Sequence, residues 1–261
     1  MIDAHCHLDF PDFDGDRELM FERAKAAGVV HFMVPGTTKA RWEKVLALGK
    51  RDDVSTSLGL HPYFIAEHRS EHIEALERAL DEHLDGLAPE VVAIGECGID
   101  ARFKESWDAQ WEYFNAQLRI AKDRDLPIVI HCVHANDQVA KRLRELKLPA
   151  GGLIHAFAGS PEQAAKFVDL GFVLGLGGAT TYERAKRLHR AVKSLPDDAY
   201  VLETDSPDMP LSGYQGERNE PARVAKVCRA VAGLRGQTVE KVASAATTTT
   251  KKLFRLQGVA V

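Results

Sequence analysis

No stretch of this 261-residue chain stays apolar for the ~20 residues that a bilayer-spanning helix needs, which argues against a helical membrane protein. Cysteine is scarce. Cys6, Cys97, Cys132 and Cys228 show no paired spacing, so reduced thiols are expected rather than a disulfide framework. An excess of basic charge is also lacking: 34 Lys and Arg face 38 Asp and Glu, a formal net charge of −4. Any attraction for phosphate must therefore be local, without the basic stripe that nucleic-acid-binding domains usually carry. No basic leader opens the chain, since Asp3 and His5 stand where one would begin, and a cytoplasmic protein is expected. Internal repeats and Pro- or Ser-rich linkers are absent too, and Thr247 to Thr250 is the one low-complexity patch. A single domain over residues 1–261 is the expectation.

What is present is a regular alternation. Eight apolar, strand-like segments run from Ile2 to His7, Val30 to Pro35, Ser55 to His61, Val91 to Cys97, Pro127 to Val133, Gly152 to Phe157, Phe172 to Gly177 and Tyr200 to Asp205. Helix-like stretches separate them: Arg17 to Ala27, Ala40 to Lys50, His72 to Leu84, Ser106 to Arg124, Asp137 to Leu146, Pro161 to Leu170, Tyr182 to Leu195 and Pro221 to Leu234. Strand and helix in strict turn, without hairpin signals, predict a parallel sheet, and eight repeats close a (β/α)8 TIM-type barrel. A doubly wound open sheet is the alternative. A last helix is expected from Val239 to Phe254, weakened by its four threonines.

Six groups suited to holding a metal fall at or just past the ends of these strands: His5, His7, Glu96, His131, His155 and Asp205. Active sites of parallel barrels are built there. His5 and His7 lie two residues apart, so on a strand both imidazoles share a face. A carboxylate at the end of the apolar run Val91 to Ile94 would be costly without a cation or a partner, which singles out Glu96. A catalytic zinc uses three protein ligands, and six candidates suit two ions better, with Glu96 as the natural bridge. Imidazole and carboxylate donors favour Zn, Mn, Co or Ni over an all-oxygen magnesium shell. By strand alternation the neighbouring Cys6, Cys97 and Cys132 should point away from the site and pack.

Seven stretches carry a resemblance: Asp3-Ala4-His5-Cys6-His7-Leu8, Gly59-Leu60-His61-Pro62, Gly95-Glu96-Cys97-Gly98-Ile99-Asp100, Pro127-Ile128-Val129-Ile130-His131, His155-Ala156-Phe157-Ala158-Gly159-Ser160, Leu202-Glu203-Thr204-Asp205-Ser206-Pro207 and Arg218-Asn219-Glu220-Pro221. In this order they resemble the TatD family of metal-dependent hydrolases, from residue 1 to beyond 220. The resemblance implies two divalent ions (Mg, Mn or Zn), one held by His5, His7, Glu96 and Asp205, the other by Glu96, His131 and His155. It implies a deoxyribonuclease trimming DNA from a 3′ end. Catalytic roles are expected for Asp205 as general base, Glu96 as bridge and His61 at substrate or leaving group. Substrate contacts are expected from His61, Arg218 and Asn219, the guanidinium of Arg218 against phosphate.

The chain departs from the family pattern at Val133, where an arginine is usual, and at Thr249, where an asparagine is usual. The missing arginine keeps open a second enzyme reading, hydrolysis of a small amide, lactone or ester. A metal-binding protein without catalysis is the third. Glu203 is expected to orient a ligand histidine. His134 should face away from the pocket if its strand continues. His31, His68, His72, His83 and His189 are expected at the surface, and Gly175-Leu176-Gly177-Gly178 is expected to leave room for substrate.

Overall fold

A computed structural model describes residues 1–84 and 90–259; residues 85–89 and 260–261 of the expected 1–261 domain lie outside the described residues. Its strands are β1 (Ile2–Asp3), β2 (His31–Pro35), β3 (Val54–Leu58), β4 (Val91–Asp100), β5 (Ile128–Val133), β6 (Gly152–Ile154), β7 (Phe172–Leu176) and β8 (Tyr200–Leu202). They pair in parallel and in sequence order, β1 to β8. The last meets the first through Ala4 N–H to Leu202 O (2.9 Å), Asp205 N–H to His5 O (2.9 Å) and His7 N–H to Ser206 O (2.7 Å). This is the TIM-type (β/α)8 barrel. Parallel neighbours require crossovers, and helices α1 (Arg17–Ala26), α2 (Lys39–Gly49), α3 (Glu71–His83), α4 (Trp107–Asp123), α5 (Asn136–Leu146), α6 (Pro161–Val168) and α7 (Lys186–Ser194) supply them, with α8 (Val224–Arg235) following the last strand.

Apolar mass is divided in two. The large cluster, including Phe21, Phe32, Phe114, Phe167 and Tyr200, fills the layer between sheet and helices. A smaller one, Ala4, Met33, Ala93, Val129, Leu153, Val201 and Phe254, fills the barrel interior, with Phe254 at the end of α9 (Val239–Leu253) as its largest member. The threonines of α9 are accommodated by Thr249 and Thr250 hydroxyls donating to the carbonyls of Ala245 (2.9 Å) and Ala246 (2.8 Å).

Several boundaries differ from the pattern. Regular pairing leaves β1, β6 and β8 short, so His5, His7, His155 and Asp205 stand on the irregular segments that follow them. Strand β4 instead runs three residues past Cys97 to Asp100, which puts Glu96 inside a strand rather than at its end. Pairing with β5 shifts there, from Ile94 opposite Ile128 to Cys97 opposite Ile130, so Gly95 and Glu96 together oppose Val129. Such a bulge re-aims a side chain. It requires Gly95, whose φ is +118° and where a Cβ would run into the Val129 backbone. The expected surface histidines also divide: His31 and His68 are buried, the first facing Ser55 Oγ at 2.9 Å and the second the carbonyl of His61 at 2.9 Å. Among the described residues no helix is long and apolar enough to cross a membrane.

Candidate metal centre and active site

The six expected ligands converge at the mouth of the barrel, beside a cavity of about 870 Å³. Glu96 is the hub. Its Oε2 lies 3.2 Å from His5 Nε2 and 3.3 Å from His7 Nε2, and its Oε1 lies 3.0, 3.2 and 2.8 Å from His61 Nε2, His131 Nδ1 and His155 Nε2. Despite these approaches neither oxygen receives a hydrogen bond of acceptable geometry, and both are buried. Two carboxylate oxygens surrounded by ring nitrogens and left without a donor form a nest of lone pairs, which a divalent cation would satisfy.

The distances fit one. His5 Nε2, His7 Nε2, Glu96 Oε2 and Asp205 Oδ1 are separated by 3.2 to 3.5 Å along five of the six edges they define. Two imidazole nitrogens with carboxylate oxygens beside them are the kind of donor set a zinc-like divalent ion would take. On the other side Glu96 Oε1, His131 Nδ1 and His155 Nε2 form a triangle of 2.8, 3.1 and 3.2 Å. His61 stands apart in kind. Its Nδ1 accepts the Tyr63 backbone N–H at 3.0 Å, so a neutral ring carries its proton on Nε2, which approaches Glu96 Oε1 to 3.0 Å without hydrogen-bond geometry and brings no lone pair to the set.

Electrostatics divide the imidazoles around this carboxylate. Burial works against the Glu96 carboxylate, yet the imidazoles of His61, His155 and His5 outweigh it and hold the group well below the usual carboxylate range. Burial depresses His5 and His61 to about 4. At His155 burial acts in the same direction, but the charge of Glu96 prevails and lifts it to about 9. For Asp205, too, burial is outweighed, by His7, whose Nε2 lies 3.4 Å from Oδ1, and by the charges of His155 and His5, so its carboxyl is held below the ordinary range.

Supporting groups hold this set in place. Asp3 takes the backbone N–H (3.0 Å) and hydroxyl (2.6 Å) of Thr204, joining the end of β1 to the end of β8. Glu203 is fully buried; its Oε1 accepts the Ala156 N–H at 2.5 Å and lies 3.9 Å from Nδ1 of His155, one of the histidines it was placed to orient. Gly175 leaves space for this carboxylate, not for substrate, because a Cβ there would collide with it.

Two expected substrate contacts lie elsewhere. Arg218 is committed to Asp16 (2.7 Å from each of two guanidinium nitrogens), Glu220 and the carbonyl of Asp12. Asn219 is buried and donates to the carbonyls of Thr204, Asp208 and Met209. Both shape the loop after β8, and neither lines the cavity. His134 does line it, contrary to expectation, because the strand stops at Val133 and a left-handed φ of +54° turns the side chain back. Cys6 and Cys97 pack in the core as expected, whereas half-buried Cys132 also reaches the cavity wall.

Sequence reasoning passed over Asp100, Arg102 and Arg187. Asp100 lies on Glu96's face by the two-residue period, a signal hidden by ending the strand at Cys97. Its Oδ2 is 3.1 Å from His131 Nε2. Arg102 and Arg187 line the cavity together with His7, Glu96, His131, His155 and Asp205, so guanidinium groups are present although position 133 is a valine.

The model of the TatD related DNase family matches residues 2–255. The chain is 38% identical to the uncharacterized metal-dependent hydrolase YjjV of Escherichia coli K12 over 257 residues, 98% of each protein. The crystal structure of that TatD homologue superposes with a TM-score of 0.93 over 98% of both chains. Identity to the 3′-5′ ssDNA/RNA exonuclease TatD of Erwinia billingiae is 31% over 265 residues, 98% of this chain and 99% of the relative.

Proposed function

We propose that this chain, which belongs to the TatD related DNase family and is a metal-dependent hydrolase acting on ester bonds, cleaves phosphodiester bonds in single-stranded DNA from a free 3′ end. The observation that carries the reading is Glu96, whose two buried, donorless oxygens face separate sets of ring nitrogens. That division suits two divalent ions, one among His5, His7, Glu96 and Asp205, the other among Glu96, His131 and His155. Ions held there would lower the pKa of a shared water and set positive charge against phosphoryl oxygens.

The remaining work falls to side chains. Asp205 is ionised and open to the cavity, so it is the base that receives the proton of the attacking water. His61 offers its Nε2–H toward the same space and donates to substrate or leaving oxygen. Substrate enters through the wall formed by Phe10, Tyr63, Arg102 and Arg187, where rings can stack on bases and guanidinium groups can meet phosphates. The four free cysteines support a cytoplasmic place of action.

Metal analysis of the purified protein, joined to assays before and after chelation, tests the reading. Single-stranded DNA with a free 3′ end should be shortened, a 3′-blocked strand should not, and chelation should abolish the reaction until metal is restored. Turnover of amides or lactones by a metal-loaded sample inert toward DNA would replace it with the small-substrate reading.

A further inference from the structure

Val133 and Asp100 are opposite one another in the β4–β5 pairing, and two residues beyond Asp100 the chain presents Arg102 at the cavity rim. The Arg102 guanidinium uses Nε (2.9 and 3.1 Å) and one terminal nitrogen, Nη2 (2.5 Å), to grip both Asp100 oxygens. This grip fixes the plane of the group. Its other terminal nitrogen, Nη1, has no hydrogen-bond acceptor among the described residues, and the side chain is 56% exposed. Asp100 in turn meets His131, so a single carboxylate and a single imidazole stand between this guanidinium and Glu96. Beside it lies an aromatic group. Tyr63, 59% exposed, packs edge-on against Phe103 (ring centroids 5.5 Å apart) and Phe64 (5.1 Å), and the Arg102 Cζ is 5.6 Å from the Phe103 centroid.

We propose that Arg102 and Tyr63 form a nucleotide subsite next to the metal centre, Arg102 binding the phosphate and Tyr63 stacking on the base of a unit adjoining the scissile linkage. The inference rests on the proposed nuclease reading and names residues that specify it. A guanidinium held in plane by one carboxylate loses little freedom when its free edge meets a phosphate. A large ring exposed to solvent but braced by two other rings is a ready platform for any base. Pre-formed charge and stacking on one wall favour an unpaired strand, whose bases are free to turn toward the ring.

The test is binding of a short, fluorescein-labelled oligothymidylate with phosphorothioate linkages to the metal-loaded protein, followed by anisotropy across a salt series. Arg102→Ala should weaken binding by about 5- to 50-fold and lower the slope of log affinity against log salt by about 0.7, the value for one phosphate on a single strand. Tyr63→Ala should weaken binding at least fivefold with the slope unchanged. A single neutral methylphosphonate, moved linkage by linkage, should at one position remove the difference between Arg102→Ala and the parent. Metal content should be equal in parent and variants, which separates loss of the subsite from disturbance of His131. Equal affinity and slope for parent and Arg102→Ala would overturn the subsite while leaving the nuclease reading standing. A metal-loaded parent that neither binds nor shortens the oligonucleotide would overturn the nuclease reading, and the subsite with it.

Discussion

Nε2 of His131 lies 3.1 Å from Oδ2 of Asp100, while the opposite nitrogen of the same ring, Nδ1, lies 3.2 Å from Oε1 of Glu96. Asp100 thereby accepts a hydrogen bond from Nε2–H, and in the neutral ring the lone pair of Nδ1 is turned inward. Asp100→Asn weakens that choice of tautomer, and on the proposed two-ion reading affinity for the ion assigned to Glu96, His131 and His155 should fall 10- to 100-fold, the usual effect of losing a carboxylate behind a ligand histidine. The ion proposed among His5, His7, Glu96 and Asp205 should be retained. Competition with a chromophoric chelator checks this, and unchanged affinity for both ions would count against it.

Asp205 sits at φ +57°, a left-handed conformation that aspartate and asparagine both tolerate. Asp205→Asn therefore tests the carboxylate's chemistry without straining the backbone. Turnover should drop roughly 10²- to 10⁴-fold with an unchanged circular dichroism spectrum. Full activity would remove Asp205 from the role of base.

Gly175→Ala places a methyl group where the buried Glu203 carboxylate stands. Overpacking of this kind costs about 1–3 kcal/mol. Because Glu203 also holds the Ala156 N–H beside His155, metal affinity should decline along with the melting temperature. A variant as stable as the parent, with normal metal uptake, would show that the wall yields freely.

Burial depresses His31 to about 4, with Asp53 acting to raise it and Lys251 to lower it. In the unfolded chain an ordinary histidine binds its proton near 6.5, so as pH falls from 6.5 toward 4 only the unfolded state gains it. Stability from this group is complete above pH 6.5 and is lost progressively down to about pH 4, on the order of 3 kcal/mol in all. His31→Gln should flatten the fall in melting temperature across that window. Parallel curves for parent and variant would exclude the contribution.

Much of this was legible in residue order. Alternating apolar runs and helical periods imply a parallel barrel because each strand must be covered on both faces. Polar residues closing those runs, from His5 to Asp205, mark the rim because burying them unpaired is costly. The bulge at Gly95 and Glu96, the extension of β4 to Asp100 and the left-handed turn at His134 were not legible: each depends on what a neighbouring strand presents across the pairing. Arg218 and Arg102 make the contrast plain. Both are arginines in loops at the same end of the barrel, and no local pattern separates them; one is consumed by Asp16 and Glu220, while the other keeps a free edge over the cavity. The sequence by itself determined the architecture and the ligand types, because periodicity and the cost of buried charge act locally. Which guanidinium keeps a free edge over the cavity, and which ring nitrogen faces Glu96, was decided by partners brought together only by the closed barrel.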